Sequence, residues 1–153
     1  MDGATEEFTW SREVIEDGEW AGWRIFSGDP FELHSGPFYA RTLETGENVC
    51  AFRAERKHMN GGGFMHGGCM MTFADYAIFA IAGDAIAGSG SVTASMNCEF
   101  IDSARVGEIV EARGEVVRNG GSLVFVRGQL TTGERTLLTF SAIIKKIRRK
   151  PAE

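Results

Sequence analysis

The sequence predicts an α+β domain in which an antiparallel sheet covers one long central helix. Three observations lead to this prediction. Two strand-like runs, residues 38–43 and 48–53, come first; an apolar segment of helical period follows a glycine-rich turn; and four further strand-like runs complete the chain. With 153 residues, of which 43% are hydrophobic, the chain can bury one core but is short for two.

An acidic segment, residues 1–35, is predicted to precede the main domain at residues 36–150. Its first 20 residues carry seven acids and one base, which is typical of a solvated face. Ser11 suits the N-cap of a short acidic helix over residues 12–20. Turn signals on both sides of residues 31–34 predict irregular or edge structure there.

The predicted strands are separated by short turns. Residues 44–47 form the turn of a first hairpin, and the four later strands cover residues 92–101, 108–117, 123–130 and 137–147. In the first of these four, strict alternation places Thr93, Ser95, Asn97 and Glu99 on one face and Ala94, Met96, Cys98 and Phe100 on the other. We therefore expect a half-buried strand followed by a meander.

The central helix has an unusual start, at His66-Gly67-Gly68. Because Gly67 and Gly68 lack a Cβ, a foreign carbonyl oxygen can approach the first helical N–H groups. Those groups have no acceptor within the helix and lie at the positive end of its dipole. The glycines therefore predict an oxyanion hole.

Asp75 lies two turns inside this helix, among residues that are otherwise apolar. A carboxylate there loses hydration and has few local partners. A structural aspartate would more usually occupy the helix N-cap, where backbone N–H groups satisfy it. The position therefore favours a functional role, as a general base or nucleophile, over a structural one.

Helix geometry separates the two predicted halves of the site. Eight residues at 1.5 Å rise place Asp75 about 12 Å along the axis from the Gly67 amide, whereas a base and an oxyanion donor must each lie about 3 Å from the reacting groups. A second subunit with an antiparallel helix would place Asp75 of one chain opposite Gly67 of the other. We therefore predict a homodimer with two equivalent sites.

The spacing of five residues matches a known family. Asn60 is followed, after five residues, by His66, Gly67 and Gly68, and Asp75 stands nine residues after His66. With this motif at the helix start, residues 36–147 resemble a hot-dog-fold acyl-CoA thioesterase of the PaaI (phenylacetate-degradation) type. In that fold an antiparallel sheet wraps one long central helix.

The resemblance implies hydrolysis of an acyl-CoA thioester to a carboxylic acid and free CoA, without a metal or redox cofactor. Family members work at dimer interfaces and often form tetramers. Asn60 and His66 match positions that orient the thioester or the departing thiolate, although a turn-former and a structural histidine are the alternatives. Thr93 falls at a position where related enzymes often carry a Ser or Thr that helps to hold the attacking water. We expect the acyl group to lie between helices, against Met70, Met71, Phe73 and Tyr76.

Composition argues against several other partners. A net charge of −5 and a pI near 5.3 argue against a nucleic-acid surface. The three cysteines are an odd, widely spaced set, which predicts reduced thiols and a cytoplasmic location. The apolar stretch at residues 69–88 contains Asp75 and Asp84, each of which would cost roughly 2.5–3.5 kcal/mol at a bilayer centre. We therefore predict a soluble-core helix and no membrane partner.

Four alternatives remain open at this point. A metal could bind to His58, His66, Cys69 and Asp75, which lie close in sequence, but their intervals fit no recognised zinc pattern. Cys69 could be a nucleophile at a helix start, although no orienting triad is evident. A non-catalytic hot-dog module that binds acyl-CoA would use the same fold. A hot-dog dehydratase would need a paired histidine and acid, which we do not find.

Overall fold

An eight-stranded antiparallel sheet curves around one long helix, as the sequence predicted. The structure is a computed structural model and describes residues 12–147. The strands are β1 (Arg12–Val14), β2 (Arg24–Phe26), β3 (Tyr39–Thr42), β4 (Asn48–Arg53), β5 (Gly90–Phe100), β6 (Ile109–Asn119), β7 (Leu123–Thr132) and β8 (Arg135–Ile147). The helices are α1 (Pro30–Ser35), α2 (Gly67–Ile81) and α3 (Gly83–Ile86), with a short 3-10 turn at Arg56–His58.

The strands follow one another across the sheet in the order β1-β2-β3-β4-β6-β7-β8-β5. The six strands predicted from the sequence are all present. The first of the four later strands, β5, forms the far edge of the sheet, beside β8. Two short strands from the N-terminal segment, β1 and β2, extend the other edge beyond β3. No helix in residues 12–147 has the length and apolar character needed to cross a bilayer.

The central helix contributes the middle of the hydrophobic core. Phe73 and Ile78 on α2 have no exposed surface, and the Phe73 ring packs against Phe38 and Phe52 at centroid distances of 5.1 and 4.6 Å. Burying each such side chain stabilises the fold by roughly 1.5–3 kcal/mol. This packing holds α2 against the sheet and fixes where its two ends lie.

Two facing glycines allow close packing of the sheet, against α2 at one position and against a β8 side chain at the other. Gly114 on β6 pairs with Gly128 on β7. A Cβ at Gly114 would lie 3.0 Å from Cδ1 of Ile81, and one at Gly128 would lie 2.6 Å from Cζ of Phe140. A side chain at Gly114 would push β6 away from α2, and one at Gly128 would collide with the Phe140 ring on β8, so both positions require glycine.

The predicted helix over residues 12–20 is wrong, because this stretch forms β1 and a tight turn leading to β2. Gly18 and Gly22 adopt positive φ angles of 81° and 83°, which a continuous helix cannot accommodate. The Trp20 ring stacks on Tyr39, with centroids 4.4 Å apart, and holds the turn against the sheet. The predicted cap, Ser11, lies outside the described residues.

The prediction of irregular or edge structure for residues 31–34 is also wrong, because they belong to α1. Asp29 is its N-cap, and its Oδ1 accepts a hydrogen bond from the Glu32 N–H at 2.9 Å. Pro30 occupies the first helical turn, where its missing N–H costs nothing. The helix is short, and it positions Glu32 over the middle of α2.

Candidate active site

The start of α2 presents one free backbone donor. His66 is the N-cap, and its Nδ1 accepts a hydrogen bond from the Gly68 N–H at 2.9 Å. The Gly68 N–H therefore already has an acceptor, so of the two predicted oxyanion donors only Gly67 remains available. Within residues 12–147 the Gly67 N–H has no acceptor. Gly67 is thus the group at this end of the helix that can stabilise a developing oxyanion.

The Asn60 side chain shapes the glycine turn that leads into α2. Its Oδ1 accepts hydrogen bonds from the N–H groups of Gly62, at 2.9 Å, and Phe64, at 3.2 Å. The backbone then continues to His66, whose N–H donates to the His58 carbonyl at 2.8 Å. Asn60 and His66 are both exposed on the segment that leads into the helix.

Asp75 lies at the other end of the candidate site, half-buried on α2. The Thr93 hydroxyl on β5 donates a hydrogen bond to Asp75 Oδ1 at 2.5 Å. Hydrogen bonds from a hydroxyl to a carboxylate are short and about twice as strong as neutral ones. The structure therefore joins two residues that the sequence analysis selected on separate grounds.

A β-bulge turns Thr93 toward the helix. Thr93 pairs with Ile144 on β8, whereas Ser95 pairs with Ile143, so Ala94 is the additional residue. Ile144 is fully buried, and cross-strand partners share a face. The prediction that Thr93 shares a face with Ser95 is therefore wrong, because the bulge reverses the alternation.

A cleft of about 580 Å³ opens beside the Asp75–Thr93 pair. One wall comes from α2, α3 and the start of β5, and includes Tyr76, Phe79 and Ile86. A second wall comes from the N-terminal segment and consists of Arg12, Phe26, Asp29 and Glu32. The sequence analysis missed this second wall, although Asp29-Pro30 was a readable helix-start signal.

The predicted acyl-lining residues occupy different environments. Tyr76 lines the cleft and contacts Phe26 edge to face, at 5.4 Å between centroids. Met70 and Phe73 lie in the core, at 3% and 0% exposure, whereas Met71 is 39% exposed. Gly67 and Asp75 lie on the same uninterrupted helix, about 12 Å apart along its axis. One chain therefore carries the two halves of a site without bringing them together.

Comparison with known proteins identifies the family. A family model described as the thioesterase superfamily matches residues 62–139, and a Pseudomonas aeruginosa protein named as a candidate esterase is 32% identical over 120 residues, covering 78% of this chain and 90% of that protein. The chain belongs to the thioesterase superfamily. Human acyl-coenzyme A thioesterase 13 is similar too, with 27% identity over 101 residues, covering 66% of this chain and 72% of that enzyme.

Solved structures agree on the fold of this thioesterase. A variant of the phenylacetic acid degradation protein PaaI from Thermus thermophilus superposes with a TM-score of 0.68 at 24% identity, covering 78% of this chain and all of that one. The predicted hot-dog fold and the family resemblance are confirmed. The predicted enzyme class, thioester hydrolase, follows from family membership.

The alternative chemistries have little support in the geometry of this thioesterase. Burial raises the pKa of the Cys69 thiol to about 11, so the thiolate that a nucleophile needs is scarce at neutral pH. The His58 ring is occupied, because it contacts the Ser35 carbonyl at 2.8 Å and the Glu55 N–H at 2.9 Å. Across residues 12–147 no three potential ligands cluster for a metal ion.

Thr93 provides a direct test of the contact with Asp75. A hydrogen bond to a charged group is worth about 1.5–3 kcal/mol. Because each 1.36 kcal/mol is tenfold in rate, we expect Thr93→Val to lower kcat for thioester hydrolysis by roughly 10–100-fold. Thr93→Ser keeps the hydroxyl and should stay within about threefold of the parent. Equal rates in the valine and serine variants would contradict a positioning role for the hydroxyl.

Glu32 has an unusual environment for an acid. Burial and, to a smaller extent, the negative charges of Asp29 and Asp75 together raise the pKa of Glu32 to about 8. An ordinary glutamate is ionised at pH 7, whereas Glu32 is mostly protonated there. Nothing in the sequence pattern around Glu32 shows this, because the burial arises only when α1 packs over α2.

The raised pKa of Glu32 predicts a pH dependence of stability. The folded state holds this proton up to about pH 8, whereas the unfolded chain releases it near its ordinary value of 4.5. The contribution of Glu32 to the free energy of unfolding is therefore fully present below pH 4.5 and is lost as the pH rises through 8. We expect Glu32→Gln to melt a few degrees above the parent at pH 9, with the difference shrinking toward pH 5.

Thermal melts of the parent and Glu32→Gln at both pH values test this expectation. Glu44→Gln is the matched control, because Glu44 is an exposed acid in the turn between β3 and β4. A difference between parent and Glu32→Gln that stays constant from pH 5 to pH 9 would contradict the assigned protonation of Glu32.

Proposed function

We propose that this thioesterase hydrolyses an acyl-CoA to a carboxylic acid and free CoA, at two equivalent sites shared between the subunits of a homodimer. The observation that carries the proposal is the hydrogen bond from Thr93 on β5 to Asp75 on α2. The same helix, α2, offers the free Gly67 N–H at its start. The acyl-CoA thioesterase name of the human relative supports the substrate class.

Asp75 acts as the base in the proposed reaction. It takes a proton from water while the water oxygen forms a bond to the thioester carbonyl carbon, and the Gly67 N–H stabilises the negative charge on the carbonyl oxygen. The tetrahedral intermediate then expels the CoA thiolate by breaking the carbon–sulfur bond. The thiolate leaves with the proton held by Asp75, and the carboxylic acid is released. Attack by the Asp75 carboxylate itself, followed by hydrolysis, would use the same residues.

The edge of β5 supports a shared site. Thr93, the partner of Asp75, lies near one end of β5, and Phe100, whose ring lies over Gly67, is at the other end. In residues 12–147 β5 pairs only with β8, so its outer edge is open. Antiparallel pairing of two β5 edges near Met96 would place Thr93 opposite the partner's Phe100. Each Asp75 would then face the partner's Gly67.

Cations beside the glycine turn suit the phosphates of CoA. Arg56 and Lys57 are exposed on the 3-10 turn that leads to Asn60. Arg105 lies over the ring of Phe64, a residue of the same turn, 4.6 Å from its centroid. Phosphate groups bind best where such cations are concentrated, even on a protein of net negative charge. We propose a cytoplasmic location as well, since the three cysteines are free thiols.

Turnover of a panel of acyl-CoAs tests the proposed function. Short-chain, medium-chain and aromatic acyl-CoAs would each be incubated with the protein, and free CoA would be detected with a thiol reagent. Hydrolysis of at least one member above the uncatalysed rate is expected. Binding of acyl-CoA without release of thiol across the panel would instead indicate a non-catalytic acyl-CoA-binding module.

A further inference from the structure

The N-terminal segment builds part of the cleft next to the proposed base. Arg12, Phe26, Asp29 and Glu32 line it together with Tyr76 and Phe79, and the same cleft contains Asp75 and Thr93. All four residues lie outside the stretch matched by the thioesterase family, residues 62–139. An acyl group that reaches Asp75 from this cleft would therefore contact a wall built from residues outside the family match.

The charge of the cleft lining is uneven. Three carboxyl groups, those of Asp29, Glu32 and Asp75, face a space that is otherwise mainly apolar. Among the described lining residues the base is Arg12, and its guanidinium lies over the Phe26 ring, 5.5 Å from the centroid. An anionic group in this cleft would lose hydration and meet like charges, so its binding is disfavoured.

We propose that the acyl group occupies this cleft and that Glu32 is a specificity-determining residue, so that the acidic wall selects uncharged acyl groups over acyl groups that end in a carboxylate. The inference rests on the proposed acyl-CoA hydrolysis and adds the class of acyl group. The volume of about 580 Å³ is ample for a small acyl chain.

The groups around Glu32 define how it responds to pH. Burial raises the pKa of Glu32, and the charges of Asp29, the N-cap of α1, and Asp75 on α2 raise it as well. Burial also raises the pKa of Tyr76 on α2 and of Cys50 on β4, with a smaller contribution from Glu32. Glu32 is thus neutral at pH 6 and ionised at pH 9. Rejection of an anionic acyl group should strengthen over this interval, because a second charge then stands beside Asp75.

Pentanoyl-CoA and glutaryl-CoA form a matched substrate pair, since both have five acyl carbons and differ in the terminal carboxylate. For the parent at pH 7 we expect kcat/KM to favour pentanoyl-CoA by about 100-fold or more. Glu32→Lys should reduce this ratio at least about tenfold, mainly by improving glutaryl-CoA hydrolysis. Glu44→Lys is the control, because it introduces the same cation at an exposed turn position. Taking the ratio cancels any general effect on binding of the CoA phosphates.

Glu32→Gln provides the second variant if the lysine variant does not fold. Its substrate ratio should equal that of the parent at pH 6 and should be several-fold lower than that of the parent at pH 9. A parental ratio near one, or a ratio unchanged by Glu32→Lys and by Glu32→Gln at pH 9, would overturn the inference while leaving acyl-CoA hydrolysis intact. If the parent hydrolysed neither of these two substrates and no acyl-CoA of the panel, the proposed function itself would be overturned.

Discussion

Asp75→Asn is expected to lower kcat for acyl-CoA hydrolysis by about 10²–10⁴-fold, the usual contribution of a general base. The substitution preserves the size of the side chain and leaves an oxygen that can still accept the Thr93 hydrogen bond, which is 2.5 Å long in the parent. The fold should therefore be retained. The lost function is proton abstraction, because an amide oxygen is far less basic than a carboxylate.

Asp84→Asn is the control for this variant. Asp84 is exposed on α3, the helix that follows α2, and does not line the cleft. The control substitution therefore makes the same chemical change outside the candidate site. Circular dichroism and thermal melts would confirm that both variants fold. A kcat for Asp75→Asn within about threefold of the parent would remove Asp75 from the proposed reaction.

Gly67→Val is expected to reduce kcat by about 10²–10³-fold, the typical cost of losing one oxyanion donor. A side chain at this position would stand between the thioester carbonyl and the Gly67 N–H. Its Cβ would also lie 3.1 Å from Cε1 of Phe100. Phe100 is 53% exposed, so its ring can move aside, and the effect on stability should be small.

Gly61→Val separates the loss of the donor from general damage to the turn. Gly61 belongs to the same glycine-rich turn, has a negative φ, and a Cβ there would meet nothing within 4 Å. Stopped assays with saturating acyl-CoA would compare the two variants. An active Gly67→Val, or an equal loss in Gly61→Val, would contradict the assignment of the oxyanion donor to Gly67.

Much of the fold was predictable because its signals are local. The helical period of α2 and the turns between β6, β7 and β8 depend on residues close in sequence. The N-terminal hairpin was not predictable in this way. Stacking of Trp20 on Tyr39 and the positive φ angles at Gly18 and Gly22 favour a turn, and these depend on the sheet already being present.

The candidate site was predicted in its residues more than in its geometry. The bulge at Ala94 exists because β5 must match β8, so alternation along β5 alone could not place Thr93 beside Asp75. The choice between Gly67 and Gly68 depends on the His66 side chain, which caps the helix through the Gly68 N–H. Both features arise from contacts that a single segment of sequence does not contain.

Sharing of the site between subunits is tested most directly by mixing two inactive variants. Asp75→Asn and Gly67→Val would be refolded together in equal amounts, and each would be refolded alone, with subunit exchange confirmed by mass spectrometry. In a mixed dimer one site receives both defects and the other neither. Half of the dimers are mixed by random pairing, so roughly a quarter of parental activity should return. No recovery despite confirmed mixing of folded subunits would contradict the pairing of Asp75 with the partner's Gly67.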